Sequence, residues 1–213
     1  MQELDKAGMG QRIRQIRLGA KLRQWELAKI LGTAMPVHRL DEGTSGVMVV
    51  ARSEVAKLAL KAAWEKQKVE RHYLALVQGF LSHTEQRIET HIARHPHTGL
   101  WASRPEFEGG RRAVTYVQGL ASLPRRTGIV RARLETGRTH QVRIHLAEAG
   151  NPVLGDSLYG SRATFPRLAL HAALLRFEHP LSGKKLVFDT GLPDDMEKYR
   201  RFLLSKDRIR KPQ

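Results

Sequence analysis

Apolar positions along this chain follow two different periods. Val47-Met48-Val49-Val50-Ala51 is an unbroken apolar run after the turn-forming Gly43-Thr44-Ser45-Gly46, and it predicts a short buried strand. The segment His72–Gln78 is apolar at its centre and is closed by Gly79. Residues 86–92, 113–119, 128–135 and 184–191 carry further β character. A helical period takes over between residues 53 and 68, where Val55, Leu58, Ala59 and Ala62 share one face and Ser53 is placed to cap the first turn. Thr139–Ala149 also suits a helix, with Gly150 at its C-terminal end.

Residues 10–32 form a separate block. Ile13, Ile16, Leu22, Leu27, Ile30 and Leu31 recur at helical spacing among lysines and arginines, and Gly19 and Gly32 punctuate them as two short basic helices. This block resembles the opening helices of Cro-repressor-type helix-turn-helix domains, although no recognition helix follows Gly32. The expected organisation is a basic helical segment over 1–34, a main domain over 35–205 and a basic tail over 206–213. Helices follow strands in the main domain without a βαβ rhythm. The fold class expected is therefore α+β, with a mainly antiparallel mixed sheet, flanking helices and a basic cleft.

Composition narrows the function. A chain of 213 residues, 41% hydrophobic, is long enough to bury a core. It has no cysteine, which excludes disulfides, thiolate catalysis and cysteine-ligated zinc. No run of apolar residues is long enough to span a bilayer and the polar start does not resemble a signal peptide, so a soluble, cytoplasmic protein is expected. Its 37 Lys and Arg outweigh 21 Asp and Glu to leave a formal charge of +16. Such an excess points to a polyanion, usually nucleic acid, held through its phosphates. With 6% aromatic residues, a broad base-stacking platform is not expected.

One carboxylate stands out. In His38-Arg39-Leu40-Asp41-Glu42-Gly43-Thr44-Ser45-Gly46, Asp41 lies beside a ring, a cation and a turn, just before the buried run. Desolvation and a nearby cation act in opposite directions on such an acid, which is how a catalytic carboxylate is tuned. This segment looks like the first motif of the RluA family of pseudouridine synthases. Arg71-His72-Tyr73-Leu74-Ala75-Leu76-Val77-Gln78-Gly79 resembles the family's second motif. Glu135-Thr136-Gly137-Arg138-Thr139-His140-Gln141-Val142-Arg143-Ile144-His145 resembles the third, extended by Gly155-Asp156-Ser157-Leu158-Tyr159-Gly160. Leu170-His171-Ala172 and His179-Pro180-Leu181-Ser182-Gly183 match the closing segment, so the resemblance runs over roughly residues 36–203 in the family's order.

The resemblance implies isomerisation of uridine in ribosomal or transfer RNA to its C-glycoside, with no cofactor. Asp41 matches the catalytic Asp, which either attacks the sugar or takes a proton. Arg143 matches the basic residue paired with it; Arg138 competes for that place and is preferred as a phosphate contact. Tyr73 matches the active-site Tyr that packs on the target base, the bland reading being a core aromatic on a strand. Arg39 matches the Arg that fills the gap left by a flipped nucleotide. His140 and His38 complete the expected substrate-binding set, His38 mainly as a hydrogen-bonding residue of the turn.

Other signals are weaker. His83, His91, His95 and His97 lack accompanying carboxylates, and no metal is expected. Gly43-Thr44-Ser45-Gly46-Val47 is not an esterase elbow, because Val47 stands where glycine belongs. Arg111-Arg112, Arg125-Arg126 and Lys184-Lys185 are either RNA-backbone contacts or solvated charges. The family resemblance implies an opening strand pair with a Lys-Pro-x-Gly turn before the first motif. The basic helical block stands in its place, either from a fused or misassigned start of the reading frame or as a natural variant whose helices cover the exposed sheet edge. A separate RNA-binding domain of the S4 type is also not expected. The alternative is a nucleic-acid-binding regulator, or an RNA-binding factor, with an inactive synthase-like domain.

Overall fold

The computed structural model describes residues 13–18 and 35–208. The apolar run after Gly46 is a strand, β3 (Ser45–Ala51), buried at every position. Its neighbour is β1 (Ile13–Leu18), antiparallel to it from Ile13 opposite Ala51 to Leu18 opposite Gly46. This corrects the helical expectation for those six residues and moves them into the main domain's sheet. Helical spacing of Ile13 and Ile16 was outweighed by the open edge of β3, whose backbone groups a strand satisfies and a helix does not. The rest of the predicted basic block lies outside the described residues. A second short partner, β2 (Met35–Pro36), pairs with the end of β3.

The helix α1 (Glu54–Glu65) follows, its N-terminus capped by the Ser53 hydroxyl accepting from Ala56 N–H at 3.2 Å. It buries Ala56 and Leu60, while Val55 and Leu58 are 57% and 59% exposed. The expected apolar face was therefore rotated from the true one. The stripe that packs runs through Ala56, Leu60, Ala63 and Trp64, and meets Val47, Val49, Leu175 and Phe177 in a small core.

The remaining strands are β4 (Glu70–Gln78), β5 (Gln86–Arg94), β6 (Trp101–Ser103), β7 (Arg111–Leu123), β8 (Thr127–Leu134), β9 (Leu170–Glu178) and β10 (Lys185–Asp189). The further α-helices are α2 (Gln141–Glu148) and α3 (Asp194–Arg208), with short 3-10 turns at Glu106–Glu108 and Ser157–Tyr159. Residues 206–208, expected in the tail, continue α3; the rest of the tail lies outside the described residues. The sheet order is β1-β3-β9-β4-β8-β7-β5-β6, with β10 on β9 and β2 on β3. Every pairing is antiparallel except β3 with β9. The expected α+β fold with a mainly antiparallel mixed sheet is the observed one. A larger core lies around β4, β7 and β8, where Leu76, Val117, Val130 and Ala132 pack with Leu146 of α2 and Met196 and Leu203 of α3.

β9 contributes to both cores, and β3 meets it at a narrow seam. β3 pairs with β9 through Ser45 and Gly46 alone. A Cβ on Gly46 would lie 2.2 Å from the Ala172 carbonyl oxygen, and its φ of +122° also excludes ordinary side chains. The Ser45 hydroxyl donates to His171 Nδ1 at 2.7 Å, and His171 Nε2 meets Thr190 Oγ1 at 2.8 Å. The hydroxyl of Thr190 is already given to the Ala173 carbonyl at 3.2 Å. His171 Nε2 is thus the donor to Thr190, and this chain of hydrogen bonds joins β3 to β9.

Candidate active site

Asp41 is placed by a turn. Its carbonyl accepts from Thr44 N–H at 3.0 Å, with Gly43 at φ +79° supplying the conformation that closes the turn. The turn is pinned from behind by His38, whose Nε2 accepts from Val49 N–H at 3.0 Å and whose ring stacks on Trp64 at 4.9 Å. Burial, reinforced by Arg71, pushes the His38 imidazole down to about 4, so it is neutral at physiological pH. That nitrogen is committed to the backbone, and His38 holds the loop.

A cavity of about 270 Å³ opens beside the turn. Asp41, Arg39, His38, Tyr73 and Arg138 all line it, together with Trp64 and Arg71. Tyr73 reaches it from β4 at a register shift: Tyr73 pairs with Ala172 but His72 with Leu174, leaving Ala173 of β9 as a bulge. Bulges of this kind re-aim side chains beside active sites. Burial raises the Tyr73 hydroxyl to about 12, with Arg71 opposing and Asp41 adding to the rise. The phenol keeps its proton throughout the working range of pH.

Arg143 and His140 lie near Asp41 but outside the cavity lining. Arg143 Nη1 is 3.9 Å from Asp41 Oδ2, an ion pair without a hydrogen bond. Its Nε and Nη2 donate to the two carboxylate oxygens of Asp156 at 2.7 and 2.8 Å, a bidentate clamp. Arg143 and Asp156 are 8% and 2% exposed. Burial acts to discharge this guanidinium, but Asp156 and then Asp41 outweigh it and hold it above its ordinary value. The ring of Tyr159 lies under the Arg143 guanidinium at 4.9 Å.

His140 precedes α2 in a left-handed conformation, φ +58°. Its Nδ1 is 2.8 Å from the Tyr159 hydroxyl, which donates to the Trp101 carbonyl at 2.9 Å. His140 Nδ1 is therefore the donor, and Nε2 carries the lone pair of the neutral ring. Burial lowers its basicity, and the opposing pull of Asp41 does not restore it. The loop before α2 is fixed by Gln141. Its Oε1 accepts from Thr136 Oγ1 and Arg138 N–H at 2.8 and 2.9 Å, while its Nε2 donates to Val114 O and Thr115 Oγ1, both at 2.9 Å. Arg138 donates through Nε to the Arg112 carbonyl at 2.9 Å and lines the cavity. Arg39 is exposed at the rim.

Several residues of this site were not assigned roles from sequence. Asp156 and Tyr159 lie in the run 155–160 but gave no sign of meeting Arg143; an acid beside glycine in a basic chain was the available signal. Trp64 gave none. Among the paired cations singled out earlier, Arg112 is bound to Glu89 and Glu135 at 2.6 and 2.9 Å, a structural use. Of the loop histidines, His95 caps its own turn through Nδ1 to His97 and Thr98 N–H at 3.3 and 3.2 Å. Among the described residues no helix is long and apolar enough to cross a membrane.

Known proteins resemble this chain in sequence and in fold. The family model described as RNA pseudouridylate synthase matches residues 18–148. A protein named ribosomal large subunit pseudouridine synthase D from Zymomonas mobilis is 36% identical over 195 residues, covering 86% of this chain and 61% of that protein. Its namesake from Vibrio cholerae is 40% identical over 175 residues, covering 75% of this chain and 53% of that protein. The chain thus spans between about half and three fifths of the length of these relatives. A solved structure titled human RNA pseudouridylate synthase domain containing 1 shares the fold, with a TM-score of 0.67 over 89% of this chain and 86% of that one, at 24% identity. Motif order, fold and family model agree: this chain belongs to the RNA pseudouridylate synthase family.

Proposed function

We propose that this chain isomerises uridine in structured RNA to pseudouridine, with Asp41 as the catalytic carboxylate. The observation that carries the reading is the meeting of Asp41 and Tyr73 in one cavity, with Arg143 placed 3.9 Å behind the carboxylate. The cavity is small beside the roughly 300–1,000 Å³ of pockets for drug-sized ligands, which suits one flipped base. The C1′–N1 bond breaks, the uracil turns, and C5 bonds to C1′ while the C5 proton leaves and N1 gains one. The sum is an isomerisation and calls for no cofactor. Asp41 begins it as an anion, attacking C1′ or removing a proton, and Arg143 supports that charge. Tyr73 packs on the base, Arg39 fills the gap left by the flipped nucleotide, and Arg138 holds a phosphate. His140 contacts the substrate from the rim beside Asp41.

The net charge of +16 supports an RNA partner. The names of the bacterial relatives favour ribosomal over transfer RNA, and a cytoplasmic place of action. Full-length protein is expected to release tritium from C5-labelled uridine in bulk ribosomal or transfer RNA. Asp41→Asn should cut release by about 10³-fold or more while RNA affinity stays within about threefold. Wild-type protein that binds RNA and releases nothing would favour the inactive, RNA-binding alternative.

A further inference from the structure

We infer that Arg71 is a catalytic residue that stabilises the uracil while it is detached from the sugar, by donating hydrogen bonds to one of its ring carbonyl oxygens. The inference rests on the uridine-isomerase reading and assigns that site a group the motifs leave without a role. Arg71 and Tyr73 are two apart on β4, so both side chains leave the same strand face, and both line the cavity. A pyrimidine packed on Tyr73, with its sugar towards Asp41, would present a carbonyl edge along the strand to Arg71.

The surroundings of Arg71 do not account for it. A guanidinium carries five N–H donors. Among the described residues Arg71 has one protein acceptor, the Thr136 carbonyl, at a long 3.4 Å from Nη2. Its Nε is buried without a partner, and it makes no ion pair with a carboxylate. Burying a cation with so little compensation is costly, and natural proteins rarely keep one without a use. Gly137 lies against the guanidinium, where a Cβ would come 2.7 Å from Arg71 Nη1. A largely unpaired cation in the wall of a cavity that admits a base is placed to meet charge developing there.

The reaction develops such charge. When C1′–N1 breaks, its electron pair leaves with the uracil, and the negative charge spreads over N1, O2 and O4. Arg71 donates to O2 or O4 and keeps its own protons. The charge is discharged when C5 forms the new bond to C1′, the C5 proton goes to a base and N1 takes one up.

The test uses the full chain, its Arg71→Gln and Arg71→Lys variants, and two transcripts of one ribosomal RNA carrying uridine or 5-fluorouridine. Loss of the target nucleoside is followed in single turnover by digestion and chromatography, beside RNA affinity and thermal unfolding. Arg71→Gln should slow conversion of uridine on the order of 10²-fold, with Arg71→Lys intermediate and RNA affinity within about threefold. On the fluorinated RNA the deficit should shrink by about tenfold, because fluorine itself withdraws charge from the departing ring. The melting temperature should hold or rise, since an undercompensated buried cation has been removed. An equal deficit on both RNAs, or activity lost in step with a falling melting temperature, overturns the assignment. Wild-type protein that converts uridine, with Arg71→Gln equally active, overturns it alone; wild-type protein that converts none overturns it together with the reading beneath it.

Discussion

Arg143 divides one guanidinium between two carboxylates. Asp156 takes the hydrogen bonds and Asp41 takes the remaining field, so the residue that orients the cation is not the one that uses it. Removing one partner of a buried pair leaves an uncompensated charge, and Asp156→Asn should cost about 3 kcal/mol of stability by urea denaturation. Activity should fall with it as Arg143 loses its fixed orientation. At this scale the ordered motifs made Asp41, Tyr73, Arg39 and Arg138 legible as neighbours, and the structure gathers them around one cavity. Asp156 and Tyr159 were hidden for a physical reason: spacing along a chain does not say which acid meets which cation across a fold. His38 was legible. Its place in the turn suggested a hydrogen-bonding residue more than an acid or base, and a single accepted hydrogen bond from Val49 N–H commits it to the loop.

Among the elements, the runs that became β3, β4, β5, β7 and β8 were legible because burial on one or both faces leaves a pattern. β1 was not, because its spacing suited a helix and only the waiting edge of β3 decided otherwise. The face of α1 was misjudged since Val55 and Leu58 are as apolar as Leu60, and packing rather than hydropathy chose between them. β9 shows no strong alternation, yet it joins the two cores through Gly46. Gly46→Ala should therefore lose about 3 kcal/mol or more, from combined overpacking and backbone strain, seen as an early urea midpoint. The same substitution at Gly160, where a Cβ meets nothing within 4 Å, should show strain alone and lose less.

For the molecule as a whole, buried neutral histidines set the response to acid. His38 and His145 are both pushed down to about 4 by burial, His145 lying fully buried between Thr115 and Thr90. Their unfolded forms take up protons near the ordinary value of about 6.5, so below it the unfolded state binds more protons. The stability they confer is present above that value and is lost as pH falls towards about 4. Urea denaturation should show a loss on the order of 2 kcal/mol per histidine between pH 7 and 5, a window above the range of ordinary carboxylates. A His145→Gln variant should have a lower stability at pH 7 and a shallower slope.

The seam at Ser45 and Gly46 has a consequence for how this site is switched on. Asp41 is borne by the loop of the small core, while Tyr73, Arg143 and Asp156 belong to strands and loops anchored in the large one. Neither core holds a working site by itself. Opening of the small core, an event of lower free energy than global unfolding, would separate acid from cation while most of the sheet stayed paired. On the proposed function, turnover would gauge how well the Asp41 loop stays docked on the large core, and a nucleotide bound beside Asp41 and Tyr73 would hold the two together.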